Sequence, residues 1–125
     1  VIYGIGTDLV DPARIARSLE RYGERFARRV LAESEWPDYL KHAKPAVFLA
    51  KRFAAKEAFS KAVGTGLRAP VIFGNIAVLH DTQGKPYFQF HQELADWIGQ
   101  RGIVSHHLSI SDELTLASAF VVLEK

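Results

Sequence analysis

Residues 48–66 read FLAKRFAAKEAFSKAVGTG. The stretch is apolar on nearly every side of a helix, yet it carries Glu57 and Lys61, and Gly64-Thr65-Gly66 closes it. At about 100° of rotation per residue, with Phe53 as zero, Glu57 falls near ~40° and Lys61 near ~80°. Ala50 and Ala54 lie in that same sector, while Phe48, Leu49, Phe59 and Val63 cover the opposite side. A helix that is apolar around most of its circumference is normally buried. Burying a lone carboxylate is costly unless it is paired or coordinates a metal. Two readings suit these residues. One is an (i, i+4) Glu-to-Lys pair, worth a few tenths of a kcal/mol on an exposed surface. The other is a metal-assisted phosphate site.

Working outward, residues 1–7 read as a short buried strand in which Gly4 and Gly6 allow close backbone approach. Asp11-Pro12 is an N-cap followed by proline at the first helical position. Ile15, Leu19 and Tyr22 give that helix its apolar stripe, and Gly23 stops it. Residues 24–31 continue as a further helical piece, and Ser34 caps another containing Trp36, Tyr39 and Leu40. The quoted helix starts near Ala46. Beyond it, residues 75–80 and 87–90 are strand-like around a turn at 81–86, and residues 92–101 form a helix ended by Gly102. Residues 106–110 and 116–123 supply the last strands, joined around Asp112-Glu113. Helices gather in the first half and strands in the second. The fold class is therefore α+β with a largely antiparallel sheet, in one domain spanning residues 1–125.

Composition narrows the setting. Nearly half of the 125 residues are apolar, but no run approaches a membrane span. The opening VIYGIG lacks the basic start and long apolar stretch of a signal peptide. The absence of cysteine excludes disulfides and thiolate metal sites, which fits a cytoplasmic protein. The net charge is only +2, yet residues 12–30 carry six arginines against Glu20 and Glu24. Residues 41–68 carry seven basic side chains against Glu57 alone. Two basic blocks imply anionic partners: a phosphate-bearing ligand, an acidic protein or a nucleic acid.

Three further groups carry candidate chemistry. Asp8 sits past the first strand, and because Asp11 already fills the cap position, Asp8 has no evident structural duty. If the first strand lies beside the quoted helix, Asp8 and Glu57 converge as oxygen ligands. Mg²⁺ is typically held by one or two protein carboxylates, with waters and substrate phosphates completing its octahedron. Oxygen ligands suit Mn²⁺ as well. Second, Arg14, Arg17, Arg21, Arg25 and Arg28 project within an arc of about 80° on one helical wheel. Such a stripe is either a solvated face or a surface for carboxylates and phosphates, which guanidinium binds bidentately. Third, His106 and His107 share a strand, so one must face each side of the sheet. No histidine spacing here makes a zinc site.

Together these residues resemble the holo-acyl-carrier-protein synthase family, the small phosphopantetheinyl transferases. The resemblance rests on GIGTDLV at 4–10, the quoted 48–66 stretch, GKPY at 84–87 and HHLSISDE at 106–113. It implies the phosphopantetheinyl transferase-like fold. It also implies transfer of the 4′-phosphopantetheine arm of coenzyme A to a serine of acyl carrier protein, releasing adenosine 3′,5′-bisphosphate and supporting fatty acid biosynthesis. It makes Asp8 and Glu57 ligands of Mg²⁺, and Lys61 a phosphate contact beside them. The acceptor of the serine proton stays open between Glu57 and a water on the metal. By the same carry-over, Arg52, Lys61, Gly66, Pro86, His107 and Lys44 bind coenzyme A. Arg14, Arg21 and Arg28 dock the acidic carrier protein. The resemblance further implies a homotrimer with sites at subunit interfaces, with His107 and Pro86 acting across one. It leaves no part for nucleic acid or membrane. One departure stands out: many relatives have histidine where this chain has Asp112, which is therefore given no role. A basic RNA- or protein-binding module is the main rival, and it gives no reason for Glu57 in an apolar helix.

Overall fold

Pro45, with no amide hydrogen to lose, occupies the first turn of a 19-residue helix that runs to Val63. Gly64 stops it in the left-handed region at φ 89°, its amide donating to the Lys61 carbonyl at 3.0 Å. The computed structural model describes residues 1–125. In chain order its elements are β1 (Ile2–Val10), α1 (Pro12–Tyr22), α2 (Glu24–Val30), α3 (Trp36–Lys41), α4 (Pro45–Val63), β2 (Ile76–His80), β3 (Pro86–Phe90), α5 (Gln92–Gln100), β4 (Ser105–Glu113) and β5 (Leu116–Glu124). Short 3₁₀ turns lie at Glu33–Glu35 and Phe73–Asn75. The fold is α+β, and every strand pair is antiparallel: β1-β5-β4 in one sheet and β2-β3 in another.

Helix α4 is the axis of the core. Twelve of its residues are buried, and the apolar ones, among them Leu49, Ala54, Phe59 and Val63, belong to one cluster of 26 buried apolar residues. Strand β1 lies directly against it. An added Cβ at Gly4 would stand 2.0 Å from the Ala62 carbonyl oxygen, and one at Gly6 would stand 1.9 Å from that of Ala58. Glycine on the strand and alanine on the helix thus let two backbones touch, and that contact fixes where Asp8 sits relative to α4.

Several boundaries differ from the sequence expectations. Strand β1 is longer than residues 1–7 and is not a buried strand: Ile2, Ile5 and Leu9 are exposed, because only one side meets α4. Asp8 consequently lies within β1, paired with Ala119, rather than beyond it. The last hairpin turns at Leu114-Thr115, and Asp112 and Glu113 remain paired in β4. Tyr22 is about half exposed (52%) rather than part of an apolar stripe, since α1 ends beside it. Gly23, at φ 61° and ψ −142°, breaks the chain between α1 and α2. The five arginines therefore do not share one continuous helix.

Candidate active site

Because β1 runs along α4, residues far apart in sequence meet at one end of the helix. The Lys61 ammonium donates to an Asp8 carboxylate oxygen at 3.1 Å and to the Thr7 carbonyl at 2.9 Å. Lys61 therefore reaches across to β1, and the simple intrahelical pair with Glu57 is not what forms. Glu57 is half-buried on α4. Burial pushes its carboxyl above the ordinary range, the nearby Asp8 charge pushes it further, and Lys61 and Arg14 oppose both. Asp8, Glu57, Lys61 and Arg14 thus form one electrostatic cluster. Arg14 stands with its guanidinium 5.7 Å from the centre of the Phe53 ring, one helical turn before Glu57.

The donors here suit a hard divalent cation. Two carboxylates lie close enough to repel, a protein cation already bridges onto one of them, and both offer only oxygen. No third carboxylate or histidine joins them. That count matches an ion held by one or two carboxylates, whose remaining positions go to water and phosphate.

The other expected contacts make no hydrogen bond or ion pair with this cluster, and Lys44 lies at the opposite end of α4 from Lys61. Lys44 precedes α4 and is exposed, its amide donating to His42 Nδ1 at 3.1 Å. Gly66, at φ 66°, folds the chain back after α4, its amide donating to the Ser60 carbonyl at 3.1 Å. Pro86 opens β3 opposite His80. His107 faces outward from β4, with Nε2 2.6 Å from Glu124 Oε1. That contact is the first cause holding the Glu124 carboxyl below its usual range.

Arg52 is not brought to the cluster. It is buried with its Nε donating to Glu35 at 3.0 Å, a second nitrogen on the Val78 carbonyl at 3.3 Å, and its guanidinium 3.7 Å from the Phe48 ring centre. Lys56 shares Glu35 with it and also donates to the Val30 carbonyl at 2.6 Å and the Phe73 carbonyl at 3.2 Å. Desolvation pushes Lys56 down to about 8, with Glu35 acting against the shift. Glu35 and Lys56 went unremarked in the sequence. The available signal was a second charged pair, Arg52 and Lys56, at (i, i+4) on an apolar helix.

Among the docking candidates, Arg14 and Arg21 are exposed on α1, while Arg28 is already engaged on α2. It bonds Glu24 at 2.7 Å and lies 4.2 Å over Trp36. His106 and His107 do face opposite sides of β4, as strand alternation requires. His106 is half-buried and accepts the Phe88 amide at 3.0 Å.

The sequence pattern of the 4′-phosphopantetheinyl transferase superfamily matches residues 4–117. A Nitrosomonas eutropha protein named holo-[acyl-carrier-protein] synthase is 87% identical over 125 residues, spanning all of both chains. The chain belongs to this superfamily. Solved phosphopantetheinyl transferases carry the same fold. The holo-[acyl-carrier-protein] synthase of Neisseria meningitidis is 50% identical and superposes over the whole of both chains with a TM-score of 0.98. The Bacillus anthracis enzyme, solved in complex with CoA (3′,5′-ADP), is 39% identical with a TM-score of 0.80, covering 98% of this chain and 96% of that one. In this phosphopantetheinyl transferase no helix is long and apolar enough to cross a membrane.

Proposed function

We propose that this chain, acting as one unit over residues 1–125, transfers 4′-phosphopantetheine from coenzyme A to a serine of apo acyl carrier protein. The serine oxygen forms a bond to the phosphorus that carries the pantetheine arm. The bond from that phosphorus to the bridging oxygen breaks, and adenosine 3′,5′-bisphosphate leaves with the electron pair. The observation that carries the reading is the meeting of Asp8, Lys61 and Glu57 where β1 crosses α4. Asp8 and Glu57 would hold Mg²⁺, or Mn²⁺ in its place. When bound, the ion would polarise the attacked phosphoryl group and offset charge on the leaving bisphosphate. Lys61, exposed and already reaching over this end of α4, supplies a second positive contact to the phosphates. With no ion bound, burial and Asp8 raise the proton affinity of Glu57; a cation held between the two carboxylates would act against that shift.

Coenzyme A would be held by Lys44, Lys61, Gly66, Pro86 and His107. Arg52 would join them only by leaving its present partners, its guanidinium being committed to Glu35 and Val78. Arg14 and Arg21 supply the docking surface for the acidic carrier, with Arg28 at its edge. The product serves fatty acid synthesis in the cytoplasm. Assembly into a homotrimer is supported by the outer face of the β1-β5-β4 sheet. Ile5, Leu9, Leu116 and Phe120 are exposed there (58%, 62%, 41% and 45%). The ladder places His107 opposite Val122, which is itself opposite Ile5, so His107 stands on that same face. An apolar face of this kind marks an interaction surface, and Phe120→Glu should shift the sedimentation of the protein toward monomer.

The direct test is the intact mass of apo acyl carrier protein after incubation with the enzyme, coenzyme A and Mg²⁺. A gain of one phosphopantetheine arm, abolished by chelation, is expected. An unchanged carrier with both proteins folded would overturn the assignment. Hydrolysis of coenzyme A without any carrier would instead indicate a metal-dependent phosphate hydrolase.

A further inference from the structure

The two sheets share no ladder, yet β3 and β4 are joined at one point. Val78 and Phe88 are directly opposed in the β2-β3 pair. The Val78 amide and carbonyl turn away from β3, toward Glu35 at 2.9 Å and Arg52 at 3.3 Å. In an antiparallel pair such a residue faces a partner whose own amide also points outward. The Phe88 amide accordingly leaves the small sheet on its far edge and reaches His106 Nε2 on β4 at 3.0 Å. The imidazole stands where the carbonyl of a neighbouring strand would stand. Its ring is also packed against Phe88 and Phe90, with centroids 5.3 and 5.6 Å apart.

This contact lies between two expected coenzyme A contacts. Pro86 is two residues before Phe88 on β3, and His107 follows His106 on β4. We infer that His106 is a positioning residue: its unprotonated Nε2 fixes the strand bearing Pro86 against the strand bearing His107, and coenzyme A binding depends on that spacing. The inference rests on the transferase reading and goes beyond it, since His106 touches neither the carboxylate cluster nor the reacting phosphate.

Accepting the Phe88 amide requires a lone pair on Nε2, so the single ring proton belongs on Nδ1. The surroundings favour this neutral form. On its inner side the ring borders a cavity of about 240 Å³ lined also by Phe59, Phe90, Ala95, Ile98, Ile103 and Leu123. Across the ladder it meets Leu123 of β5. None of these carries a charge. The titratable neighbour is His107 on the opposite face, whose charge acts in the same direction as burial to hold His106 below the ordinary imidazole value of 6.5. The unfolded chain therefore takes up the proton more readily than the native one. The tie is intact at the ordinary imidazole value and above it, and is lost only as pH falls through the lowered value of the native ring.

The test is coenzyme A binding by calorimetry for wild type, His106→Gln and His106→Phe, between about pH 5 and pH 8. Amide exchange at Phe88 is read in parallel. Glutamine keeps an acceptor and should bind within about twofold of wild type at neutral pH. Phenylalanine keeps the ring packing but loses the acceptor, and should bind about tenfold more weakly with fast exchange at Phe88. Wild type should lose affinity as His106 protonates, and neither variant should show that limb. If His106→Phe does not fold, the acid limb present in wild type and absent in His106→Gln carries the test. Equal affinity and equal pH profiles for all folded proteins would remove the role of His106 and leave the transferase reading intact. Failure of wild type to bind coenzyme A at any pH would instead overturn the transferase reading.

Discussion

Replacing Gly6 by alanine sets a methyl group against the backbone of α4. The new Cβ would lie 1.9 Å from the Ala58 carbonyl oxygen and 2.8 Å from the Ala62 nitrogen. Ordinary contact begins near 3.4 Å, so strand and helix must part by about 1.5 Å along that line. Neither atom belongs to a side chain that could swing aside. Overpacking usually costs about 1–3 kcal/mol, and a backbone obstacle places this substitution at the upper end, about 3 kcal/mol. For a domain of this size that lowers the melting temperature by roughly 10 °C. The same movement draws Thr7 and Asp8 from Lys61, now at 2.9 and 3.1 Å. A misplacement of about 1 Å can cost about 100-fold in rate, so transfer should fall by about that factor even where the variant is fully folded. Thermal melts and single-turnover transfer would be measured on Gly6→Ala beside Gly99→Ala. Gly99 lies in α5 with nothing within 4 Å of an added Cβ, and alanine there should stabilise by about 0.5–1 kcal/mol. A Gly6→Ala protein as stable and as active as wild type would refute the claim that strand-to-helix contact builds the site.

Four other substitutions separate chemistry from support. Glu57→Gln should abolish transfer while making the protein more stable at neutral pH. A carboxyl whose folded value is raised favours the native state below that value, and this advantage is lost as pH rises through it. Denaturation of wild type and Glu57→Gln on both sides of the carboxylate range should show the two curves diverging upward in pH. Lys56→Met should cost about 3–5 kcal/mol by urea unfolding, because it leaves a buried cluster short of a partner although Lys56 touches no substrate. Arg21→Ala should weaken carrier protein binding more than Arg28→Ala, since Arg28 already serves Glu24 and Trp36. Titrations at low and high salt would show the difference shrinking as salt screens it.

The central helix, the antiparallel strands and the α1–α2 break at Gly23 were all legible in the sequence, because glycine, proline and apolar period act locally. The convergence of Asp8 with Glu57 was legible only as a condition, that the first strand lie beside the helix. Gly4 and Gly6 hinted at it, since glycines in a strand mark close approach. What they approached became clear only with Ala58 and Ala62 in place. The partner of Lys61 was not legible, because helical spacing offers Glu57 as neighbour and says nothing of a strand more than fifty residues earlier. The buried pairing of Arg52 was not legible for a related reason. A cation in a basic stretch looks available, whereas its carboxylate, Glu35, comes from a separate 3₁₀ turn.

Helix α4 therefore carries two charged pairs with the same spacing and opposite uses. Arg52 and Lys56 form one (i, i+4) pair, and Glu57 and Lys61 form the next, rotated by about 100° because Glu57 directly follows Lys56. The first pair turns inward and spends its donors on Glu35, Val30, Phe73 and Val78, and no buried side-chain nitrogen or oxygen is left without a partner. The second turns toward β1 and is left incomplete, with a half-buried carboxyl held at raised proton affinity beside a second carboxylate. A fully satisfied network rigidifies its surroundings, whereas the Glu57 carboxyl, with no hydrogen-bond partner and a second carboxylate nearby, favours a cation or a proton. The inward pair locks the rotation of α4, and with that rotation fixed the outward pair lies at the surface beside Asp8.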